Sequence, residues 1–166
     1  MSFIGATIQG VVYAPGYFLA HEECERKTRQ FPTTGATTTE DGKKYWKMGS
    51  VYPSNDANAE GITYEDVDVT NGAMPGSVVL KGVVYEDRLP ITSDTYDTVT
   101  PQTGDDPAEE GWYEKVGNEY VLTEDTTVTE GKTYYAHNVV RIAPAAKTAL
   151  EAKGFTFKTN PAVTRV

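Results

Sequence analysis

The chain has 166 residues and a formal net charge of −9, with 39% hydrophobic residues. Those figures allow one domain or two small ones, and they exclude a general nucleic-acid binder, which needs a basic footprint. An acidic chain is equally unsuited to anionic membrane surfaces, and no apolar run approaches membrane-spanning length.

Eleven tyrosines, with abundant threonine and valine, suit pleated, half-buried surfaces and lean the composition towards β. Cys24 is the single cysteine, so an intrachain disulfide is excluded, which fits synthesis in a reducing cytoplasm. No basic n-region followed by an apolar stretch opens the chain, so no secretory leader is expected.

Residues 1–36 carry short apolar runs broken by Pro15-Gly16 and by a charged patch from His21 to Arg29. No 3.6-residue period is sustained there, which predicts an arm that docks piecewise on a partner instead of joining a folded layer. Its apolar side chains, Phe3, Ile4, Val11, Val12, Tyr13, Tyr17, Phe18 and Leu19, are the candidate contact residues.

From Thr37 the pattern turns strand-like. Asp41-Gly42 marks a hairpin between Thr37-Thr38-Thr39 and Tyr45-Trp46. A further strand is expected to run to Tyr52 and stop at Pro53, with a polar loop over 54–60. Ile62, Tyr64, Val67 and Val69 change parity, which predicts a bulge or two short strands. Asn71-Gly72 and Pro75-Gly76 read as turns. Val78 to Tyr85 has apolar residues on both faces and reads as a central strand.

After Pro90 the composition changes. The stretch from Ser93 to Gly111, rich in Thr and Asp, reads as a loop or linker. Gly117-Asn118 then marks a hairpin between strands at 112–116 and 119–122, and 132–136 supplies a third. A small core of Trp112, Tyr120, Leu122 and Tyr134, with some of Val116, Val121 and Val128, is expected. Pro144 at a first helical position, Ala146 and Leu150 on one face and Gly154 past the end predict one short helix, followed by a strand at Phe155-Thr156-Phe157. The fold expected is mainly β with one short C-terminal helix.

The candidate chemistry is thin. His21 and Cys24 offer half of a metal site, while structural zinc takes four ligands. The segment from Asp56 imitates half a calcium loop, but Val67 stands where the bidentate Glu belongs. Glu65, Asp66 and Asp68 could serve as acid and base, or be solvated carboxylates on a strand. Trp112, Tyr113, Tyr134 and Tyr135 could stack on a sugar, or form the core of their own sheet. No nucleophile elbow, P-loop or dinucleotide fingerprint occurs. No enzyme, cofactor or metal site is expected.

Gly61-Ile62-Thr63-Tyr64-Glu65-Asp66-Val67-Asp68-Val69-Thr70 and Pro75-Gly76-Ser77-Val78-Val79-Leu80-Lys81-Gly82-Val83-Val84-Tyr85 resemble tailed-phage capsid decoration and head-fibre proteins. So does the ending, an Ala-rich helix followed by a short aromatic strand. The resemblance covers roughly 49–90 and 139–158. It implies a compact β domain like that of the lambda head decoration protein family, here formed by 37–90 and 139–166. It further implies an arm over 1–36 that contacts the major capsid protein, a homotrimer at threefold positions, and a place on the outer capsid surface of a virion made in a bacterial cytoplasm. The span 91–138 departs from that compact form and reads as an inserted β module. The same resemblance allows a head fibre or adhesin whose insert binds host-surface or mucosal carbohydrate.

Overall fold

The structure, a computed structural model, describes residues 13–159. It is mainly β, with a single short helix near the C-terminus. The chain divides into two compact units, one from Met1–Pro90 with Arg141–Val166 and the other Ile91–Val140.

In the first unit the strands are β1 (Glu25–Phe31), β2 (Thr37–Thr38), β3 (Lys44–Trp46), β4 (Val51–Tyr52), β5 (Gly61–Thr63), β6 (Val67–Asp68), β7 (Met74–Lys81) and β8 (Val83–Tyr85). A four-stranded antiparallel sheet has the order β1-β7-β5-β4, and a three-stranded one the order β2-β3-β6. The expected hairpin joins β2 to β3, with Gly42 at φ 82°, a left-handed value that glycine adopts without steric cost. The parity change after Tyr64 resolves into two short strands, β5 and β6, in different sheets.

The single central strand expected over 78–85 is broken at Gly82 into β7 and β8, which lie in different sheets, and β7 is covered on both faces. Val79 joins Phe18, Ile62, Val84, Leu89 and Leu150 in the larger core, and Val78 joins Phe31, Trp46, Val67 and Val69 in a smaller one. Pro75-Gly76 is not the expected turn but the first part of this strand. Pro75 pairs only with Gln30 of β1, beyond the end of β5, so its missing N–H breaks no second ladder. A Cβ on Gly76 would come within 2.6 Å of Val67 and 2.7 Å of Phe31, so glycine serves close packing there.

Over 13–36, where the sequence reading expects a docking arm, the chain packs onto the domain. Phe18 and Phe31 are fully buried, Leu19 bridges to Val84, and β1 pairs along its length with β7. β1 escapes hydrophobic-pattern reading because its sequence, ERKTRQF, is charged on both faces. Charged side chains on an edge strand discourage edge-to-edge aggregation, so a strand can form where no apolar alternation advertises it.

The second unit has β9 (Ser93–Thr98), β10 (Tyr113–Val116), β11 (Glu119–Leu122) and β12 (Tyr135–Val140), in the order β11-β10-β12-β9. The start of the Thr/Asp-rich stretch is therefore a strand, not a linker. β9 and β12, the strands by which the chain enters and leaves, pair with each other from Ser93–Val140 to Thr98–Tyr135. Thr92 reinforces that closure by donating its N–H to the Val140 carbonyl at 2.8 Å. Val139 and Val140 thus end β12 in this unit, and Ile142 is the first residue after it in the larger core.

The chain then forms the helix α1 (Pro144–Ala152) and β13 (Thr156–Lys158), which runs parallel to β8. Ala146 and Leu150 are fully buried, four residues apart on one helical face. The Asn55 side-chain oxygen accepts the Ala143 N–H at 2.9 Å, so the polar loop after Pro53 satisfies one donor at the start of α1.

Candidate functional site

A cavity of about 560 Å³ lies in the first unit where the segment from Pro15 to Cys24 passes Tyr64 and Arg88. Gly16 makes the turn at φ 74°, and a Cβ there would meet the Tyr64 ring at 2.6 Å, so glycine lets this segment approach. Side-chain alternation then sorts the candidate contact residues. Phe18 points into the core, while Tyr17 and Leu19 on either side of it line the cavity. Phe18 therefore offers a partner no surface, a correction to its place among the contact residues. Tyr13 is half-buried and packs against Tyr17 with ring centroids 4.6 Å apart and planes tilted by 37°. Phe3, Ile4, Val11 and Val12 lie outside the described residues.

Two guanidiniums border the cavity. Arg26 lies over the Tyr64 ring at 4.1 Å. Arg88 lies over Tyr17 at 4.9 Å and Tyr85 at 4.5 Å, and its Nη1 donates to the Tyr17 carbonyl at 3.1 Å. Beside Arg26 runs β1, which has β7 on one side and, among the described residues, no strand on the other. In the sequence Arg26 is one of several charges in the patch from His21 to Arg29 and Arg88 lies 62 residues further on, so only the fold brings the two to one cavity.

At the other candidate sites Asp56, Asp66 and Asp68 each accept a backbone N–H. Asp66 accepts the Met48 N–H at 2.7 Å and Asp68 the Thr70 N–H at 2.8 Å. Hydrogen bonds from Thr70 hold the Asp68 carboxyl below its ordinary value. Asp56 accepts the Asn58 N–H at 2.7 Å and the Ser54 hydroxyl at 2.9 Å, a local turn that likewise favours its charged form. His21 and Cys24 both line the cavity, and among the described residues no group of three or more His, Cys, Asp or Glu could hold a metal ion. Among those residues, too, no helix is long and apolar enough to cross a membrane.

The second unit carries an aromatic layer. Strand register puts Tyr113 opposite Tyr135, Tyr96 opposite His137 and Tyr120 opposite Lys115, so all five rings share one face. The Tyr96 ring is parallel to Tyr120 at 4.0 Å and nearly parallel to His137 at 4.5 Å. Burial by these neighbours, then the nearby Tyr113, pushes the Tyr96 hydroxyl above its ordinary pKa. His137 Nε2 lies 2.6 Å from Asp94 Oδ1.

Trp112 and Tyr134 turn to the opposite side, 5.8 Å apart. The four aromatics considered as one sugar platform are thus split between two faces. Tyr134 is fully buried and is the centre of this unit's core, whereas Leu122, Val116 and Val121 are 55%, 59% and 46% exposed and lie outside it. The Tyr134 hydroxyl donates to Asp125 at 2.6 Å, and Lys132 reaches both Asp125 at 2.7 Å and Glu114 at 2.6 Å. Hydrogen bonds from Lys132, then Tyr134, hold the Asp125 carboxyl below its ordinary value, and the two carboxylates raise the Lys132 ammonium above its own.

No family model, curated protein or solved structure matches the chain.

Proposed function

We propose that the chain is a structural capsid-binding protein, a decoration protein that docks through its first unit on the outer surface of a phage head and displays Ile91–Val140. The observation that carries this reading is the position of Tyr17 and Leu19. Both belong to the N-terminal stretch that the resemblance assigns to capsid contact, and both line an open cavity beside the edge of β1 that no strand covers among the described residues. A protein bound only to the assembled state stabilises that state by mass action, and symmetric repetition multiplies a modest interface over a shell. The partner is the major capsid protein, and the expected arrangement is a homotrimer at threefold positions.

The adhesin alternative asks for aromatic faces turned to solvent. Tyr96, Tyr120 and His137 stack on one another instead, which favours a layer that holds the unit together. The test is to mix the purified chain with heads assembled without it and to sediment and image them. Saturable binding at threefold positions, and heads that open at a higher temperature, are the expected results. Heads that stay bare would remove the proposal.

A further inference from the structure

We propose that the cavity and the edge of β1 left unpaired among the described residues together bind an extended, carboxylate-bearing peptide segment of a protein partner. This inference rests on the docking reading above and names the chemistry of what docks.

The charges point there first. The chain carries a net −9, and among the described residues five cations sit by a carboxylate: Lys27 by Glu25, Arg29 by Glu60, Lys43 by Asp41, Lys132 by Glu114 and Asp125, Lys147 by Glu86. Arg26 and Arg88 form no ion pair among the described residues, yet both line the same cavity. Each lies over a tyrosine ring, Arg26 at 4.1 Å from the Tyr64 centroid and Arg88 at 4.9 Å from that of Tyr17. A planar guanidinium fork matches a planar carboxylate, and one that already rests on a ring has less side-chain freedom to lose on binding. Among the described residues Glu22 is the only carboxylate of the lining, so there two guanidiniums face one negative charge. That balance suits a single carboxylate and opposes a dianionic phosphate. Leu19 and Pro15 supply apolar wall for the methylene stem of such a side chain.

The backbone points to an extended ligand. Cys24 and Arg26 belong to the cavity lining, and Arg26 is the second residue of β1. A strand added along that edge of β1 therefore runs past the cavity mouth. Main-chain hydrogen bonds supply affinity in such strand addition, and pockets for alternate side chains supply selectivity. The basic side chains Arg26, Lys27 and Arg29 outnumber Glu25 on β1, so the edge itself favours an acidic strand.

The experiment uses the full chain, isotope-labelled, with nuclear magnetic resonance read at the Nε–H of Arg26 and Arg88 and at the β1 amides. The probes are a short blocked peptide alternating threonine and glutamate, its threonine–glutamine counterpart, and inorganic phosphate. The glutamate peptide is expected to shift both arginine signals saturably and to slow exchange of β1 amides. The glutamine peptide should bind at least about tenfold more weakly, the scale of one charge-assisted hydrogen bond. Arg26→Gln should weaken the glutamate peptide by about the same factor, since it removes one partner of that bond, while Lys115→Gln, on β10 of the second unit, leaves binding within about twofold. Equal binding of the two peptides, arginine shifts with phosphate alone, or no shift at all would overturn the proposal. No shell enters this assay. Heads that the chain fails to decorate would therefore remove the docking reading and leave a positive peptide result standing.

Discussion

Tyr96 and Tyr120 stack in parallel planes with centroids 4.0 Å apart, although they come from β9 and β11, the two outer strands of a four-stranded sheet. Between those strands, β10 and β12 share a single register position, Tyr113 opposite Tyr135. The sheet is thus two ribbons, β10-β11 and β9-β12, joined by little backbone pairing. The tyrosine stack clasps them from one face, and Tyr134 with Trp112 packs on the other.

Removing the clasp should loosen the second unit and leave the first intact. A double-mutant cycle of Tyr96→Ala and Tyr120→Ala, followed by hydrogen exchange of β12 amides in the full chain, should give a coupling of about 0.5–1.5 kcal/mol. Tyr→Phe at either position keeps the ring and should cost little. Additive alanine effects would mean that the stack holds nothing.

Two substitutions on β5 should act in opposite directions. A Cβ on Gly61 would lie 2.2 Å from the Val79 carbonyl oxygen, so Gly61→Ala must push β5 from β7 and should cost about 1–3 kcal/mol. Thr63 is fully buried, and its hydroxyl has no hydrogen-bond partner among the described residues. Thr63→Val keeps the shape, removes the unsatisfied group and should stabilise by about 1 kcal/mol. Urea unfolding followed by Trp46 fluorescence, in a Trp112→Phe background, reads both. Loss of stability in Thr63→Val would contradict the account of that side chain.

The Asp125–Lys132–Tyr134 network sets the pH window of the second unit. Asp125 has a lowered folded pKa, so its contribution is present above the ordinary carboxylate range and is lost as pH falls through the folded value. Lys132 has a raised folded pKa, so its contribution is full below the ordinary lysine value and is lost only as pH rises through the folded one. Thermal unfolding of this unit should therefore be flat through neutrality and fall on acidification. Asp125→Asn should flatten the acid limb. An unchanged limb would show that other carboxylates set it.

Elements whose apolar spacing was locally complete were legible in the sequence. The helix at Pro144, the Asp41-Gly42 and Gly117-Asn118 hairpins and the two-faced strand around Val78 and Val79 each carry their signal within a few residues. β1 and β9 were not legible, because edge strands rich in Arg, Lys, Thr and Asp lack alternation. Pro75-Gly76 misled because the pair usually bends a chain, whereas here Gly76 lets Val67 and Phe31 close in. Of the candidate contact residues, Tyr17 and Leu19 stand out in the sequence by their apolar character, and both line the cavity. That same character gave Phe18 equal standing, since composition does not say which of three consecutive residues faces inward.

Phe18 and Leu19 should accordingly separate stability from attachment. Phe18→Ala removes a fully buried ring and should destabilise the first unit by about 3–5 kcal/mol. Leu19→Ser, at the cavity wall, should cost the fold less and head binding more. A sedimentation assay at a temperature where both variants are folded tests this. Unchanged binding by Leu19→Ser would move the contact elsewhere.

The central claim is that the first unit docks while Ile91–Val140 is displayed, and imaging heads that carry a chain with 91–140 replaced by a short Gly/Ser linker tests it most directly. β9 and β12 enter and leave side by side, so a short linker spans the gap. The account predicts a folded first unit at the same positions and occupancy as the full chain, with the outermost density missing. Bare heads from a shortened chain that is folded in solution would contradict it.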